Sequence, residues 1–130
     1  MLEILKNIPF FSSLHDGDLE AISTKVKMEY FPAEHVIFNE GDEGDKMYII
    51  KSGEVQVIRG GEIITNLKEH AFFGEMALVS DEKRNATIKI VSDVELLIIE
   101  KIDFKQLLET HSAIAEMVSY EVVKRANATF

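Results

Sequence analysis

The sequence contains no cysteine and no tryptophan, and only two of its 130 residues are proline. The absence of cysteine excludes disulfide bonds and thiol chemistry. The low proline content, with 46% apolar and 28% charged residues, is typical of a folded chain and not of a disordered one. At this length we expect one domain with its own core.

Positive charge is also scarce. The chain has 14 Lys and Arg residues against 23 Asp and Glu, which gives a formal net charge of −9. Such a charge repels nucleic-acid phosphates and anionic lipids. No apolar run approaches membrane-spanning length, and residues 1–6 lack the basic flank of a signal peptide. We therefore expect a cytoplasmic protein that binds neither nucleic acid nor membranes.

Apolar spacing divides the chain into three parts. Residues 1–26 carry apolar residues at helical spacing and predict a helical cap. Residues 27–100 hold short apolar runs separated by turns and predict a β-roll. Residues 101–130 predict two helices, with Asp103 as the N-cap of the first and Ser112 as the start of the second. The predicted fold class is mainly β with flanking helices.

A glycine pair marks the clearest turn in the β-rich part. Gly60 and Gly61 separate the apolar runs 55–58 and 63–64. They suit the type I′ turn of a two-residue hairpin, because both central residues of that turn need positive φ. Short, evenly spaced strands without crossover helices favour an antiparallel sandwich, jelly roll or barrel over a parallel sheet.

An insert interrupts the β-rich part at residues 73–87. It passes from Gly74 and Glu75 through a short helix-compatible stretch and re-enters a strand after Arg84. A helix N-terminus, a glycine and a planar guanidinium are all suited to binding phosphate oxygens. A carboxylate beside a phosphate site fits a ligand that also presents a hydroxyl donor, as a ribose does. The insert therefore predicts a site for a small sugar phosphate.

This insert resembles the phosphate-binding cassette of the cyclic nucleotide-binding domain family. The cassette reads Phe-Gly-Glu-aliphatic-Ala-Leu, about five variable residues, then Pro-Arg-x-Ala-Thr or Ser. Residues 37–57 also match an earlier run of the family, which extends the likeness over nearly all of residues 1–130. It implies an eight-stranded antiparallel jelly-roll β-barrel with an N-terminal helical segment and two C-terminal helices. The cassette residues that match are Phe73, Gly74, Glu75, Met76, Ala77, Leu78, Arg84, Ala86 and Thr87.

The resemblance implies a role for individual residues. Glu75 and the Gly74 backbone would hold the ribose 2′-hydroxyl. Arg84, with backbone amides of the insert, would bind the cyclic phosphate, and the neighbouring hairpin would approach the sugar and base. A residue of the last helix would cover the base, with Tyr120 as the first candidate and Met117 or Val123 in reserve. The predicted ligand-binding set is Gly74, Glu75, Met76, Ala77, Arg84, Asn85, Ala86, Thr87, Val57, Ile64, Thr65 and Tyr120.

Four positions depart from the family pattern. Lys83 replaces the proline that usually precedes the arginine, and Glu34 and His70 stand where turn glycines are common. Asn85 stands where cGMP-preferring members often have Thr and cAMP-preferring members have Ala. The choice between cAMP and cGMP is therefore open.

The resemblance implies a regulatory sensor domain for signalling, in which cyclic nucleotide binding shifts the C-terminal helices allosterically. We expect no enzyme, because no nucleophile–base pair or paired carboxylates appear. We also expect no metal or other cofactor, because the four His residues are scattered. No effector domain fits after residue 130, so we expect an excised module or an effector on a partner chain.

Two alternatives stay open at this stage. Glu75 and Arg84 could form an ordinary surface ion pair that needs no ligand. The chain could also be a nucleotide-independent interaction domain with a vestigial pocket, forming a homodimer through its apolar last helix.

Overall fold

The computed structural model describes residues 1–124 and 130, with the side chains of all of these except residues 78, 79 and 121–124. Three helical segments come first, and Pro9 opens the second of them. Proline has a fixed φ and no N–H donor, so it suits the first position of a helix. The segments are α1 (Leu2–Lys6), a 3-10 helix (Pro9–Phe11) and α2 (Asp16–Ser23).

Strands form the middle of the chain, and two of them are 14 residues long. One short helix and two longer ones accompany them. The strands are β1 (Lys27–Phe31), β2 (Val36–Phe38), β3 (Lys46–Arg59), β4 (Glu62–Leu67), β5 (Phe72–Phe73) and β6 (Thr87–Glu100). The helices are α3 (Met76–Val79), α4 (Lys101–Thr110) and α5 (Ser112–Lys124).

The strands pair antiparallel in one sheet, whose main path runs β1-β6-β3-β4. Strand β2 pairs with β6, and β5 pairs with β3. The predicted hairpin is confirmed, because Arg59 pairs with Glu62 around the two glycines. Gly60 and Gly61 have φ values of 61° and 79°, as the type I′ turn requires.

The number of strands differs from the expectation. The class, mainly β with flanking helices, is confirmed, but the described residues form six strands and not eight. The register of β3 against β6 shifts between Ile50 and Val55. Such irregularities let one strand bend and continue where the sequence predicts two. Closure into a jelly-roll barrel stays a prediction.

Two apolar clusters pack on opposite faces of the long strands. Side chains alternate along a strand, so Met47 and Ile49 join the helix-side cluster while Tyr48 and Ile50 join the other. Phe73 belongs to this second cluster, at the start of the insert. From α5, the helix-side cluster takes Ile114, Met117 and Val118, as predicted, and the side chains of residues 122 and 123 lie outside the described residues.

Helix α4 begins earlier than predicted. Its N-cap is Glu100, and Asp103 lies in its first turn. A carboxylate there interacts favourably with the positive end of the helix dipole. Glu100 is also the last residue of β6 and pairs with Lys46, so the end of the strand sets the start of the helix. The predicted start of α5 at Ser112 is confirmed. In the part of the chain that the structure describes, every helix is too short or too polar to cross a membrane.

Candidate functional site

The insert between β5 and β6 contains two buried charged side chains. Glu75 exposes 3% of its surface and Arg84 8%. Among the described residues, these are the only buried polar or charged ones. Burying a charge is costly, so proteins do it where the charge has a partner or a task. The burial rules out an ordinary surface ion pair.

Arg84 is fixed by hydrogen bonds of both its side chain and its backbone. Its Nη1 donates to the carbonyl of Gly74 at 3.2 Å and its Nη2 to the carbonyl of Lys46 at 2.8 Å. The backbone N–H donates to the carbonyl of Asp42, and the Arg84 carbonyl accepts from the N–H of Gly41, both at 2.8 Å. These bonds join the end of the insert to the loop before β3 and hold the guanidinium in one place.

The surroundings of Arg84 act on the pKa of its guanidinium in opposite directions. Burial lowers the pKa of the guanidinium, and the nearby Asp45 and Glu75 act in the opposite direction. The ring of Phe38 lies 4.1 Å from Cζ and adds a cation–π contact. Arginine has five N–H donors, and the bonds to the two carbonyls occupy two of them. Nε has no hydrogen-bond partner among the described residues, so the side chain retains donors for an anion.

Gly74 allows the guanidinium to come close to the backbone. Its φ is 77°, a region that residues with a side chain rarely adopt. A Cβ at this position would lie 2.7 Å from Nη1 of Arg84 and 3.1 Å from the carbonyl oxygen of Lys46. Glycine is thus required at this position for two reasons: its φ is positive, and a Cβ would collide with the guanidinium of Arg84.

Helix α3 follows directly, as the sequence predicts for the middle of the insert. Glu75 is its N-cap, and the N–H of Ala77 donates to the carbonyl of Gly74 at 3.2 Å. Both carboxylate oxygens of Glu75 are shielded from solvent. The insert therefore holds a carboxylate at the start of its helix and a guanidinium ten residues after Gly74, both inside the protein.

A small cavity of about 20 Å³ lies at the insert. Ligand pockets commonly measure roughly 300 Å³ or more. A nucleotide could therefore enter only if the residues around the cavity moved apart. The lining residues are Gly74, Met76, Ala77, Glu82, Lys83, Arg84, Asn85 and Phe130, five of which belong to the predicted set.

The remaining predicted residues of the insert and of the hairpin lie outside the lining of this cavity as the structure describes it; they are Glu75, Ala86, Thr87, Val57, Ile64 and Thr65. Ala86 is fully buried in the cluster that contains Phe73. Val57 is fully buried and pairs with Thr65 across the hairpin. Ile64 exposes 46% of its surface. Their contact with a ligand stays a prediction.

The candidate lid residue Tyr120 lies at a different cavity. It exposes 65% of its surface and, with Phe10 and Met117, lines a space of about 550 Å³ between the 3-10 helix and α5. The side chain of Val123 lies outside the described residues. The assignment of the lid stays a prediction.

Sequence reasoning missed two residues at the insert. Phe130 lines the small cavity, and its ring centroid lies 5.6 Å from Cζ of Arg59. Arg59 also donates from Nε to the carbonyl of Asn85 at 2.9 Å. The available signals were weak: an isolated aromatic residue after the last helix and a basic residue beside a turn.

The described residues offer no alternative site of metal-binding type. Within residues 1–124 and 130, no three His, Asp or Glu side chains lie close enough together to hold a metal ion. The insert itself offers a buried carboxylate, a buried guanidinium and backbone amides.

Comparison with known proteins finds a family that matches about two thirds of the chain. The model of the cyclic nucleotide-binding domain matches residues 28–111, which include β2 to β6 and the whole insert.

Curated relatives and solved structures extend the match along the chain. The cAMP-dependent protein kinase regulatory subunit of Hypocrea atroviridis is 33% identical over 92% of this chain and 26% of its own length. A cyclic nucleotide-gated potassium channel of Mesorhizobium japonicum is 32% identical over 97% of this chain and 35% of its own length. The chain thus spans about a quarter to a third of these relatives. The catabolite activator protein of Thermus thermophilus, a solved structure, has a TM-score of 0.83 and 27% identity, covering 91% of this chain and 58% of that protein.

Proposed function

We propose that this chain, which belongs to the cyclic nucleotide-binding domain family, binds cAMP or cGMP at the insert. It responds to the ligand by moving its C-terminal helices. Binding itself is the function, and no bond of the ligand is broken. The observation that carries the proposal is the burial of Glu75 and Arg84 within one short insert.

Each of these two charged side chains would bind a different part of the ligand. Arg84 would bind the cyclic phosphate through N–H donors that its carbonyl partners leave over. The backbone amides of Asn85 and Ala86 would add donors to the same phosphate, and the amide of Ala77 would do so by giving up its bond to the Gly74 carbonyl. Glu75 would accept the ribose 2′-hydroxyl, a group that an anion-binding site alone does not require. The pair thus selects a ribose phosphate over a simple anion.

The base would lie beyond the sugar, towards the β3–β4 hairpin. Val57, Ile64 and Thr65 of that hairpin are the proposed contacts, and Tyr120 is the proposed lid. Asn85 follows Arg84 in sequence and lines the small cavity, so its amide is the proposed contact that discriminates between purines.

The names of the relatives support a regulatory role. The kinase regulatory subunit and the potassium channel are both named for cyclic nucleotides, and both are several times longer than this chain. We infer that the signal passes from this domain to an effector on the same or another chain. The relatives do not favour the alternative of a nucleotide-independent interaction domain.

The test is a calorimetric titration of the intact protein with cAMP, cGMP and 2′-deoxy-cAMP. We expect cAMP or cGMP to bind and to raise the melting temperature by mass action. A hydrogen bond to a charged acceptor contributes about 1.5–3 kcal/mol, so 2′-deoxy-cAMP should bind roughly 10- to 150-fold more weakly than cAMP. Glu75→Gln should narrow that difference. Absence of both heat and thermal shift with either cyclic nucleotide would contradict the proposal.

A further inference from the structure

Lys101 contacts both the insert and the C-terminal helices. It is the first residue of α4. Its Nζ donates to the carbonyl of Ser80 at 3.1 Å and to Oδ1 of Asp81 at 2.8 Å. Ser80 is the C-cap of α3, so these two residues lie between Glu75 and Arg84 in the middle of the insert. One side chain therefore joins the insert to the first turn of α4.

The backbone of Lys101 makes a second connection. Its N–H donates to the carbonyl of Asp45 at 2.8 Å. The next carbonyl along the chain, that of Lys46, accepts the hydrogen bond from Nη2 of Arg84. The guanidinium and the first N–H of α4 are thus attached to neighbouring peptide groups at the start of β3. A shift of Arg84 would therefore displace the start of β3, to which the first N–H of α4 is bonded.

The small size of the cavity requires residues of its lining to move when a ligand enters. Its volume is about 20 Å³, and ligand pockets measure roughly 300 Å³ or more. The two ends of the insert are held by β5 and β6, which pair with β3. These pairings leave Phe130 and the middle of the insert as the parts of the lining that can move, and Lys101 holds Ser80 and Asp81 in the middle of the insert.

We propose, on the basis of the nucleotide binding proposed above, that Lys101 transmits the displacement of the insert to α4 and α5 through its bonds to Ser80 and Asp81. The bond to Ser80 matters more than the ion pair. The side chain of Asp81 is fully exposed, so water and salt screen its charge. Lys101 exposes only 20% of its side chain, and its bond to the Ser80 carbonyl is partly buried.

This coupling has a consequence for affinity. If the insert cannot open without displacing α4, part of the binding free energy goes into moving the helices. Loss of the Lys101 bonds should then allow the insert to open alone. Ligand should bind more tightly, by up to about fivefold given the modest strength of such bonds, and the helices should move less. A lysine that only stabilised the ligand-binding form would give weaker binding instead.

The experiment measures helix movement directly in the intact chain. Because the sequence has no cysteine, Glu29→Cys on β1 and Ser119→Cys on α5, both exposed positions, can carry a pair of spin labels. The distance between the labels is measured by double electron–electron resonance with and without saturating cAMP or cGMP. The same titrations give the dissociation constants.

Four variants separate the contribution of the Lys101 ammonium from that of its ion pair with Asp81. Lys101→Met keeps the apolar stem and removes the ammonium, and Lys101→Arg keeps a donor. Asp81→Asn removes only the exposed ion pair and leaves a fold that should be intact. Lys105→Met is the matched control, because Lys105 is an exposed lysine one turn further along α4 and acts on Asp81 only through its charge.

We expect the nucleotide-dependent change in distance to be largest in the wild type and in Lys105→Met, restored in Lys101→Arg, reduced in Asp81→Asn and lost in Lys101→Met. A full change in both Lys101→Met and Asp81→Asn would overturn the proposal, as would a wild type that binds nucleotide without any change in distance. Failure of the wild type to bind either nucleotide would instead overturn the proposed function.

Discussion

The guanidinium of Arg84 lies over the ring of Phe38, with 4.1 Å between Cζ and the ring centroid. Tyr48 presents a second ring, 6.0 Å from the same atom. Aromatic faces attract a cation most strongly where water is excluded. The two rings therefore offset part of the cost of burying the charge, and they hold the guanidinium beside the carbonyls of Gly74 and Lys46.

Replacing Arg84 should weaken nucleotide binding. Truncating one partner of a buried charge pair costs about 2–5 kcal/mol, so we expect that loss of cAMP or cGMP affinity in Arg84→Ala. Arg84→Lys retains the charge but not the planar fork, and it should recover only part of the affinity. Calorimetry gives the affinities, and a melting curve of each variant verifies folding. An unchanged dissociation constant in a folded Arg84→Ala variant would remove Arg84 from the site.

Substitution of Gly44 tests how tightly the position of Arg84 is fixed. A Cβ on Gly44 would lie 2.5 Å from Nε and 2.6 Å from Cζ of Arg84. The guanidinium is held by two carbonyls and a ring, so it cannot move aside cheaply. We expect Gly44→Ala to lower the unfolding free energy by about 1–3 kcal/mol, as overpacking does, and to weaken nucleotide binding.

The control for Gly44→Ala is Gly17→Ala. Gly17 lies in α2, and a Cβ there would meet nothing within 4 Å. Alanine is the better helix former by up to about 1 kcal/mol, so this variant should be slightly more stable and bind nucleotide normally. Equal effects of the two substitutions in chemical denaturation and titration would show that the contact with Arg84 is not decisive.

Local patterns made much of the fold and of the insert predictable. The turn at Gly60 and Gly61 follows from two adjacent residues, and α3 and the positions of Glu75 and Arg84 follow from one short motif. Strand β1 gives a weaker signal, because most of its residues are exposed and it exists through pairing with β6. Such pairing joins residues about 70 apart in sequence, such as Lys27 and Ile98, and no local pattern reveals it.

The same limit applies to the detailed contacts of the site. Arg84 could be identified as a phosphate ligand from the motif, but its bond to Lys46 spans 38 residues. The contact of Lys101 with Ser80 spans 21 residues. Each contact depends on how β3 and β6 bring distant segments together. The carbonyls that hold Arg84, the bonds from Lys101 to the insert and the presence of Phe130 at the cavity could therefore be identified only from the three-dimensional structure.

The departures at Glu34 and His70 carry a measurable strain. Both residues have positive φ, 76° and 74°, where the family commonly has glycine. A residue with a side chain pays about 1–2 kcal/mol in this region, whereas glycine costs about 0.5–1 kcal/mol in unfolded-state entropy. We expect His70→Gly to raise the unfolding free energy by about 0.5–1 kcal/mol in urea denaturation.

Glu69→Gly provides the matched control for His70→Gly. Glu69 is the exposed neighbour and is not among the positive-φ residues, so glycine there should be slightly destabilising. His70→Gly and Glu69→Gly both remove the contact of 3.6 Å between Nε2 of His70 and Oε1 of Glu69, so its loss is common to the two variants. Glu34→Gly has no such matched control, because Glu34 pairs with Lys89 at 3.0 Å. A loss of stability in His70→Gly as large as that in Glu69→Gly would show that the turn is not strained.

The ion pair between Lys101 and Asp81 predicts how the link to α4 responds to pH. The hydrogen bond from Lys101, followed by the charges of Lys101 and Lys105, holds the pKa of Asp81 below its ordinary value. A carboxyl whose pKa is lowered on folding contributes above its unfolded-state pKa, and that contribution is lost as the pH falls through the lowered value. The ion pair should therefore persist at neutral and mildly acidic pH.

An NMR titration of the Asp81 carboxyl carbon measures this pKa in the wild type, Lys101→Met and Lys105→Met. We expect Lys101→Met to raise the pKa of Asp81 towards its ordinary value, because both the hydrogen bond and the nearer charge are removed. Lys105→Met should raise it less, since Lys105 acts only through its charge and solvent screens that charge at an exposed carboxylate. A pKa of Asp81 that is the same in the wild type and in Lys101→Met would mean that the ion pair is not populated in solution. The bond from Lys101 to the Ser80 carbonyl would then have to account for the whole link between the insert and α4.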